Sequence, residues 1–326
     1  MLRLPYFRAE FPRSLDEALS LKTRHGSESA YVAGGTDLYP NMKRRQQTPT
    51  VVIALRGIED LGRIEVLAGG SLRIGAGVTL TRLIRHPAVR GQWPVLAESA
   101  STISTPLLQN MGTVGGNLLL DTRCNYYDQN YEWRKAIDFC MKKDGKICWV
   151  APSSPRCWAV QSSDLAPVMI ALGASVTLRG ADGERTIPAS SLYFDDGIQF
   201  LTKQPDELLV AVEVPPLTGA RAAYLKLRRR GAFDFPVLGV ATWARFSPEG
   251  VVDDARIVLG AVGSHPKSSE EARVAVRGHQ LTDEVLDAAA RAAARPAKPL
   301  DNTDFTIGWR KDMVPVHVRR ALAALK

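Results

Sequence analysis

The chain has four cysteines, Cys124, Cys140, Cys148 and Cys157, and all of them fall inside one 34-residue window. Thiolates gathered in this way suit zinc or an iron-sulfur centre, and an even number of them also permits disulfides. Their spacing is C-x15-C-x7-C-x8-C, without the C-x-x-C knuckle common in structural zinc sites and ferredoxin-type clusters, so spacing alone leaves the metal open. In a reducing compartment such a cluster reads as metal ligands in preference to disulfides. The window opens seven residues after Asn117, the last residue of a glycine turn, and Asp164 follows seven residues after Cys157. It therefore reads as an insertion between two parts of one cofactor site.

Two glycine turns flank that reading. Val32, Ala33, Gly34, Gly35, Thr36, Asp37 and Leu38 form a strand end that breaks into a glycine pair, where backbone amides could approach a phosphate with no Cβ in the way. A second loop, Thr113, Val114, Gly115, Gly116 and Asn117, offers amides, a hydroxyl and a side-chain amide over five residues. A lone glycine pair is also what a plain tight turn looks like. Neither G-x-G-x-x-G nor G-x-x-x-x-G-K-[ST] occurs, so the dinucleotide-binding fingerprint and the Walker loop are both excluded. Asp164 precedes the apolar run 165–172 and reads either as a helix cap or as an acceptor for polyol hydroxyls.

The elements that must hold these residues are readable in part. Ser14-Leu15-Asp16-Glu17 is a capping box for an amphipathic helix that runs to about His25 and stops at Gly26. Strands are expected at 30–33 and 50–55, completing a small α+β unit over 1–57. From 58 to 217 the pattern gives strands at 71–78, 175–179 and 208–214, helices near 79–86, 93–104 and 164–172, and a hairpin turn at Asp182-Gly183. The cysteine window, about 121–160, interrupts this unit. Pro215-Pro216-Leu217-Thr218-Gly219 reads as a linker, because consecutive prolines cannot continue a central strand. Beyond it, 218–326 holds strands near 221–230, 236–246 and 252–262, then helices at 282–293 and 309–325.

Composition narrows the function classes. With 45% hydrophobic and 23% charged residues, the chain is an ordinary globular one. It contains no run of eighteen apolar residues and no secretory signal, so no membrane span and a cytoplasmic location are expected. The net charge of +8 invites a nucleic-acid reading. The basic runs at 43–45, 228–230 and 319–320 are short, scattered and outside any reading motif, so nucleic acid is not expected. His25, His86, His265, His279 and His317 are dispersed, and no nucleophile, base and orienting residue form a recognisable set, so no catalytic residue is assigned.

In this order, the stretches 32–38, 72–79, 109–118, 163–173, 207–215 and 224–226 resemble the FAD-binding subunits of the molybdenum hydroxylases, the xanthine dehydrogenase and carbon monoxide dehydrogenase family. The resemblance covers nearly the whole chain. It implies an α+β FAD-binding fold of two α/β subdomains, followed by a C-terminal domain with a three-stranded antiparallel sheet and helices. It also implies that the first glycine loop wraps the FAD pyrophosphate and the second contacts the phosphate and ribityl region. Asp164 would hold the ribityl chain, Leu209 would pack on the flavin, Lys226 would approach the ring system, and Ile103 is a weaker carry-over.

The cysteine insertion is similar to that of the flavoprotein subunits of 4-hydroxybenzoyl-CoA reductases, in which four cysteines hold a 4Fe-4S cluster. A similar insertion occurs in some bacterial aldehyde oxidoreductases. The local match is Asp121-Thr122-Arg123-Cys124 with the three later cysteines. Seven aromatic residues between 121 and 160 could shield such a cluster from water. The resemblance implies a redox subunit whose partners are a molybdenum-cofactor large subunit and a 2Fe-2S small subunit. The main expectation is a 4-hydroxybenzoyl-CoA reductase fed by a ferredoxin-like donor. The alternative is an aldehyde or aromatic hydroxylase that passes electrons outward to another redox partner. A zinc-stapled assembly subunit and a self-sufficient FAD oxidoreductase are the competing classes.

Overall fold

The computed structural model describes residues 2–326, arranged around three sheets. The first is parallel, of order β1-β3-β2, built from β1 (Arg8–Glu10), β2 (Ser29–Val32) and β3 (Val51–Ala54). Helix α1 (Leu15–His25) carries the chain from β1 towards β2. It starts where the Ser14 hydroxyl accepts from the Glu17 amide at 3.1 Å, and Glu17 in turn accepts from the Arg13 amide at 2.7 Å. It stops at Gly26, whose φ of 50° and amide bond to the Lys22 carbonyl end the helix as the capping pattern requires. Helix α2 (Leu38–Lys43) follows the first glycine loop.

The second sheet is antiparallel, of order β4-β5-β8-β6-β7, from β4 (Ile64–Val66), β5 (Leu72–Gly75), β6 (Ser175–Gly180), β7 (Gly183–Pro188) and β8 (Leu208–Val214). Strand β5 ends at Gly75, short of the expected 71–78. The Gly75 and Gly77 amides bond the Arg63 and Leu61 carbonyls, and a Cβ at Gly75 would lie 2.4 Å from the Leu61 oxygen, so the backbone there belongs to a packed bend. Short helices decorate this unit: α3 (Leu80–Arg85), α4 (Pro87–Gln92), α5 (Pro94–Ser101), α6 (Pro106–Gln109), α7 (Val114–Leu118), α8 (Tyr131–Ala136) and α9 (Leu165–Leu172).

The third sheet, β12-β11-β10-β9, is antiparallel and consists of β9 (Ala220–Leu227), β10 (Leu238–Phe246), β11 (Val252–Gly260) and the two-residue edge β12 (Lys267–Ser268), one strand more than expected. Helices α10 (Glu270–Val276), α11 (Asp283–Ala293) and α12 (Ile307–Ala323) follow, and α10 and α12 cover this sheet. Its other face meets α9, which is apolar all round and buried at every residue. A helix without a polar face must be enclosed, and each fully buried Leu, Ile or Met side chain contributes about 1.5–3 kcal/mol. Helix α9 thus fixes the third unit against the second and sets Asp164, just ahead of it, opposite β9.

Candidate cofactor cleft and cysteine cavity

The two glycine loops meet. A Cβ on Gly34 would lie 1.8 Å from the Met111 carbonyl oxygen, and one on Gly115 would lie 2.7 Å from the Ala76 Cβ. Gly35 has a φ of 72° and turns the chain into α2. Thr113 caps α7 by accepting from the Gly116 amide at 3.0 Å. Gly34 is therefore required by packing against the lead-in to the second loop, and Gly115 by packing against Ala76, as well as by any ligand.

Between the loops lies a cleft of about 1140 Å³, on whose wall stand Val32, Ala33, Gly34, Gly35, Thr36, Asp37, Leu38, Ile103, Thr113, Gly115, Gly116, Asn117, Asp164, Leu209 and Lys226. Val114 is absent from that wall. Its side chain is fully buried in the apolar core, because it sits at the first position of α7 with its neighbours turned to the cleft.

The role of Asp164 is corrected in one respect. Its side chain makes no cap bond to α9. The Asn117 side-chain oxygen accepts from the Leu165 amide at 3.1 Å and from the Ser163 hydroxyl at 2.7 Å, while the Ser163 oxygen accepts from the Ala166 amide at 2.9 Å. Freed of capping, the Asp164 carboxylate accepts from the Tyr224 hydroxyl at 2.7 Å and from the Lys226 ammonium at 3.0 Å, with 3% of each charged side chain exposed. Lys226 also donates to the Thr102 carbonyl at 3.0 Å. Burial raises the carboxyl pKa of Asp164, with Lys226 pulling the other way, and burial lowers that of Lys226.

Asp37 pairs with Arg123, and burial pushes its carboxyl pKa up against that pairing. Arg123 also meets Asp128 at 3.4 Å and lies 4.2 Å over the Phe235 ring. Asp128 accepts from the Cys124 amide at 3.3 Å. The first glycine loop is thereby tied to the cysteine insertion. Other cleft residues carry no motif. Met111, Lys203, Phe233 and Phe235 all stand on the wall, and burial pulls the Lys203 pKa down to about 8. Phe233, with a φ of 71° and 56% exposure, lies at the β9–β10 turn, where two aromatics after an Arg-Gly stretch were the available signal. No histidine lines the cleft or the cysteine cavity.

All four cysteines are free and buried, so the disulfide reading is set aside. They line one cavity together with Tyr126, Tyr127, Met141, Lys142, Trp149, Val150 and Ala159. Burial pushes the Cys124 thiol up to about 12 and that of Cys157 to about 11, and raises Cys140 as well, so these thiols ionise only against a compensating positive charge. Among the described residues no three His, Cys, Asp or Glu side chains draw together as a group that could hold a metal ion. The sulfurs ring a space. The aromatic shield is partial, since Tyr131, Trp133 and Trp149 are each more than a third exposed. Leu119, Leu120, Asp121 and Arg123 line the cleft, and the next residue, Cys124, lines the cavity, so one short segment walls both.

The model of the FAD binding domain in molybdopterin dehydrogenase matches residues 5–217, and that of the CO dehydrogenase flavoprotein C-terminal domain matches 222–325. The chain belongs to the FAD-binding medium subunits of the molybdenum hydroxylases. It is 34% identical over 304 residues to the aldehyde oxidoreductase FAD-binding subunit PaoB of Escherichia coli strain K12, covering 90% of this chain and 92% of that protein. The carbon monoxide dehydrogenase medium chain of Hydrogenophaga pseudoflava is 29% identical over 321 residues, 98% and 97% of the two chains. The solved structure of carbon monoxide dehydrogenase from that organism, lacking the Mo-pyranopterin moiety of its cofactor, superposes with a TM-score of 0.82 at 28% identity, over 99% of this chain and 98% of that one.

The medium subunit is thus an oxidoreductase component with the expected fold, and residues 5–217 form its FAD-binding domain. These relatives do not carry the 4-hydroxybenzoyl-CoA reductase expectation, and the hydroxylase alternative fits them better. Among the described residues no helix is long and apolar enough to cross a membrane.

Proposed function

We propose that this medium subunit is the FAD and iron-sulfur electron relay of an aldehyde-type molybdenum hydroxylase, and that Cys124, Cys140, Cys148 and Cys157 ligate a 4Fe-4S cluster. Its partners are a molybdenum-cofactor large subunit, where substrate reacts, and a 2Fe-2S small subunit. Electrons leave to an external redox partner, ferredoxin-like or other. The observation that carries this reading is that four free, buried thiols line one cavity whose wall continues into the FAD cleft.

Four thiolates lining one cavity are a donor set that suits an iron-sulfur cluster or zinc, and metal and sulfide analysis decides between them.

Bound FAD supplies two-electron chemistry and an iron-sulfur cluster single-electron transfer, so the pair joins a two-electron oxidation to a one-electron acceptor. Residues 32–38 would present backbone amides to the pyrophosphate and residues 113–117 would meet the phosphate and ribityl region. Asp164 would accept from ribityl hydroxyls, Leu209 and, more weakly, Ile103 would pack on the cofactor, and the Lys226 ammonium would favour negative charge on the ring. The test is isolation of the native complex with metal, sulfide and chain analysis, followed by assay of aldehydes against aryl-CoA thioesters. Iron beyond the 2Fe-2S complement, together with aldehyde turnover, is expected. Zinc in its place, or turnover of the thioesters alone, would overturn the reading.

A further inference from the structure

Lys142 stands in the partition between the cleft and the cysteine cavity, with 6% of its side chain exposed. Its ammonium donates to the Asp121 carboxylate at 2.8 Å, the Thr122 hydroxyl at 2.8 Å and the Gly197 carbonyl at 2.6 Å, which uses all three of its protons. It also lies 4.8 Å over the Tyr127 ring and 5.4 Å over that of Phe200. Gly197 is pressed on a sulfur, since a Cβ there would lie 2.6 Å from the Cys157 Sγ. The charge is therefore held in one place by a tripod, of whose feet Asp121 lines the cleft and Gly197 abuts Cys157.

The pair has a direction. Lys142 lines the cysteine cavity, whereas Asp121 lines the cleft. Positive charge thus faces the thiols and negative charge faces the flavin side. Taking such a pair out of water costs several kcal/mol for each ion before their attraction offsets it, so apolar residues would fill this partition at lower cost. The fully buried Arg134 of the insertion donates to the Arg44 and Arg45 carbonyls and ties the insertion to the first unit.

We infer that the Lys142–Asp121 dipole biases an electron shared between the two centres towards the cysteine side, setting net flow from FAD to the cysteine-held centre. The inference rests on the proposed cluster ligation. The electron lost by the flavin is the one gained by that centre, and no bond forms or breaks. In a poorly solvated wall a unit charge acts with little screening, so its removal should change the one-electron equilibrium about tenfold, which is 59 mV for a one-electron couple.

The test is a redox titration of the native complex, following the iron-sulfur signals by electron paramagnetic resonance and the flavin by absorbance. Lys142→Met is expected to lower the potential of the cysteine-held centre by the equivalent of about tenfold, with iron and FAD contents unchanged, and Lys142→Arg to restore it. If Lys142→Met does not retain the centre, Asp121→Asn carries the test. Removing the negative pole should raise that potential. An unchanged potential in a fully iron-loaded Lys142→Met, or an unchanged or lower one in Asp121→Asn, overturns the inference. Absence of iron in the unaltered complex would instead overturn the ligation on which it rests.

Discussion

Replacing Lys226 by methionine keeps the stem and removes the charge, and the structure gives the consequence a sign and a size. The Asp164 carboxylate would remain almost wholly buried with one donor left, the Tyr224 hydroxyl at 2.7 Å. Breaking a buried pair from one side costs about 3–5 kcal/mol. For a chain of this size that corresponds to a fall of about 4–7 °C in Tm. Burial already raises the folded pKa of Asp164, and Lys226 is the largest influence holding it down, so the variant raises it further. A carboxyl whose folded pKa exceeds its unfolded value, about 3.9, binds its proton more tightly in the native state. Native stability therefore falls as pH rises from about 4 to the raised folded pKa, and is level beyond it. The deficit of Lys226→Met should be small near pH 4 and greatest near neutrality. Thermal unfolding of the FAD-free protein, followed by circular dichroism over about pH 4–8, measures this. The double variant Lys226→Met/Asp164→Asn should recover much of the loss at neutral pH. A deficit equal at every pH, or a double variant no more stable than the single one, would refute the reasoning.

What could be read in advance was what local chemistry decides. The Ser14 box, the stop at Gly26, the apolar helix after Asp164 and the apolar, β-branched runs of strands β6 and β8 each follow from neighbours within a few residues. The cleft was legible because the residues of the two glycine loops end up on one wall, and only Val114 turns away from it. The failures are non-local. Asp164 looked like a cap because nothing nearby shows that Asn117, 48 residues before Leu165, takes that place through space. Gly34 reads as a phosphate turn, while its lack of a Cβ is also demanded by Met111, which comes next to it only in the fold. Helix α10 did carry a signal, since Ser269 caps it ahead of Glu270 and Glu271, whereas the two-residue β12 carried none. The cysteine spacing lacks a local chelating pair, so only tertiary structure brings the four thiols round one cavity.

Gly34→Ala places a methyl group where the Met111 carbonyl already lies, forcing the two loops apart; overpacking of this kind costs about 1–3 kcal/mol, and FAD affinity measured by fluorescence titration should fall about tenfold or more. Retention of full affinity would show that the loops need not touch to bind the cofactor. Cys148→Ser and Gly116→Trp separate the two sites. The serine removes one of four soft donors from the cavity without touching the cleft wall, so iron should be lost while FAD is kept. A Cβ at Gly116 meets only the Thr113 Oγ1, at 3.0 Å, so an indole there has to extend into the cleft, and FAD should be lost while iron is kept. Both contents are read from one sample by absorbance and metal analysis. Because residues 119–124 wall both spaces, the opposite outcome is also physically available. If either variant emptied both sites, the partition would be a single cooperative unit, and cleft and cavity would have to be treated as one site.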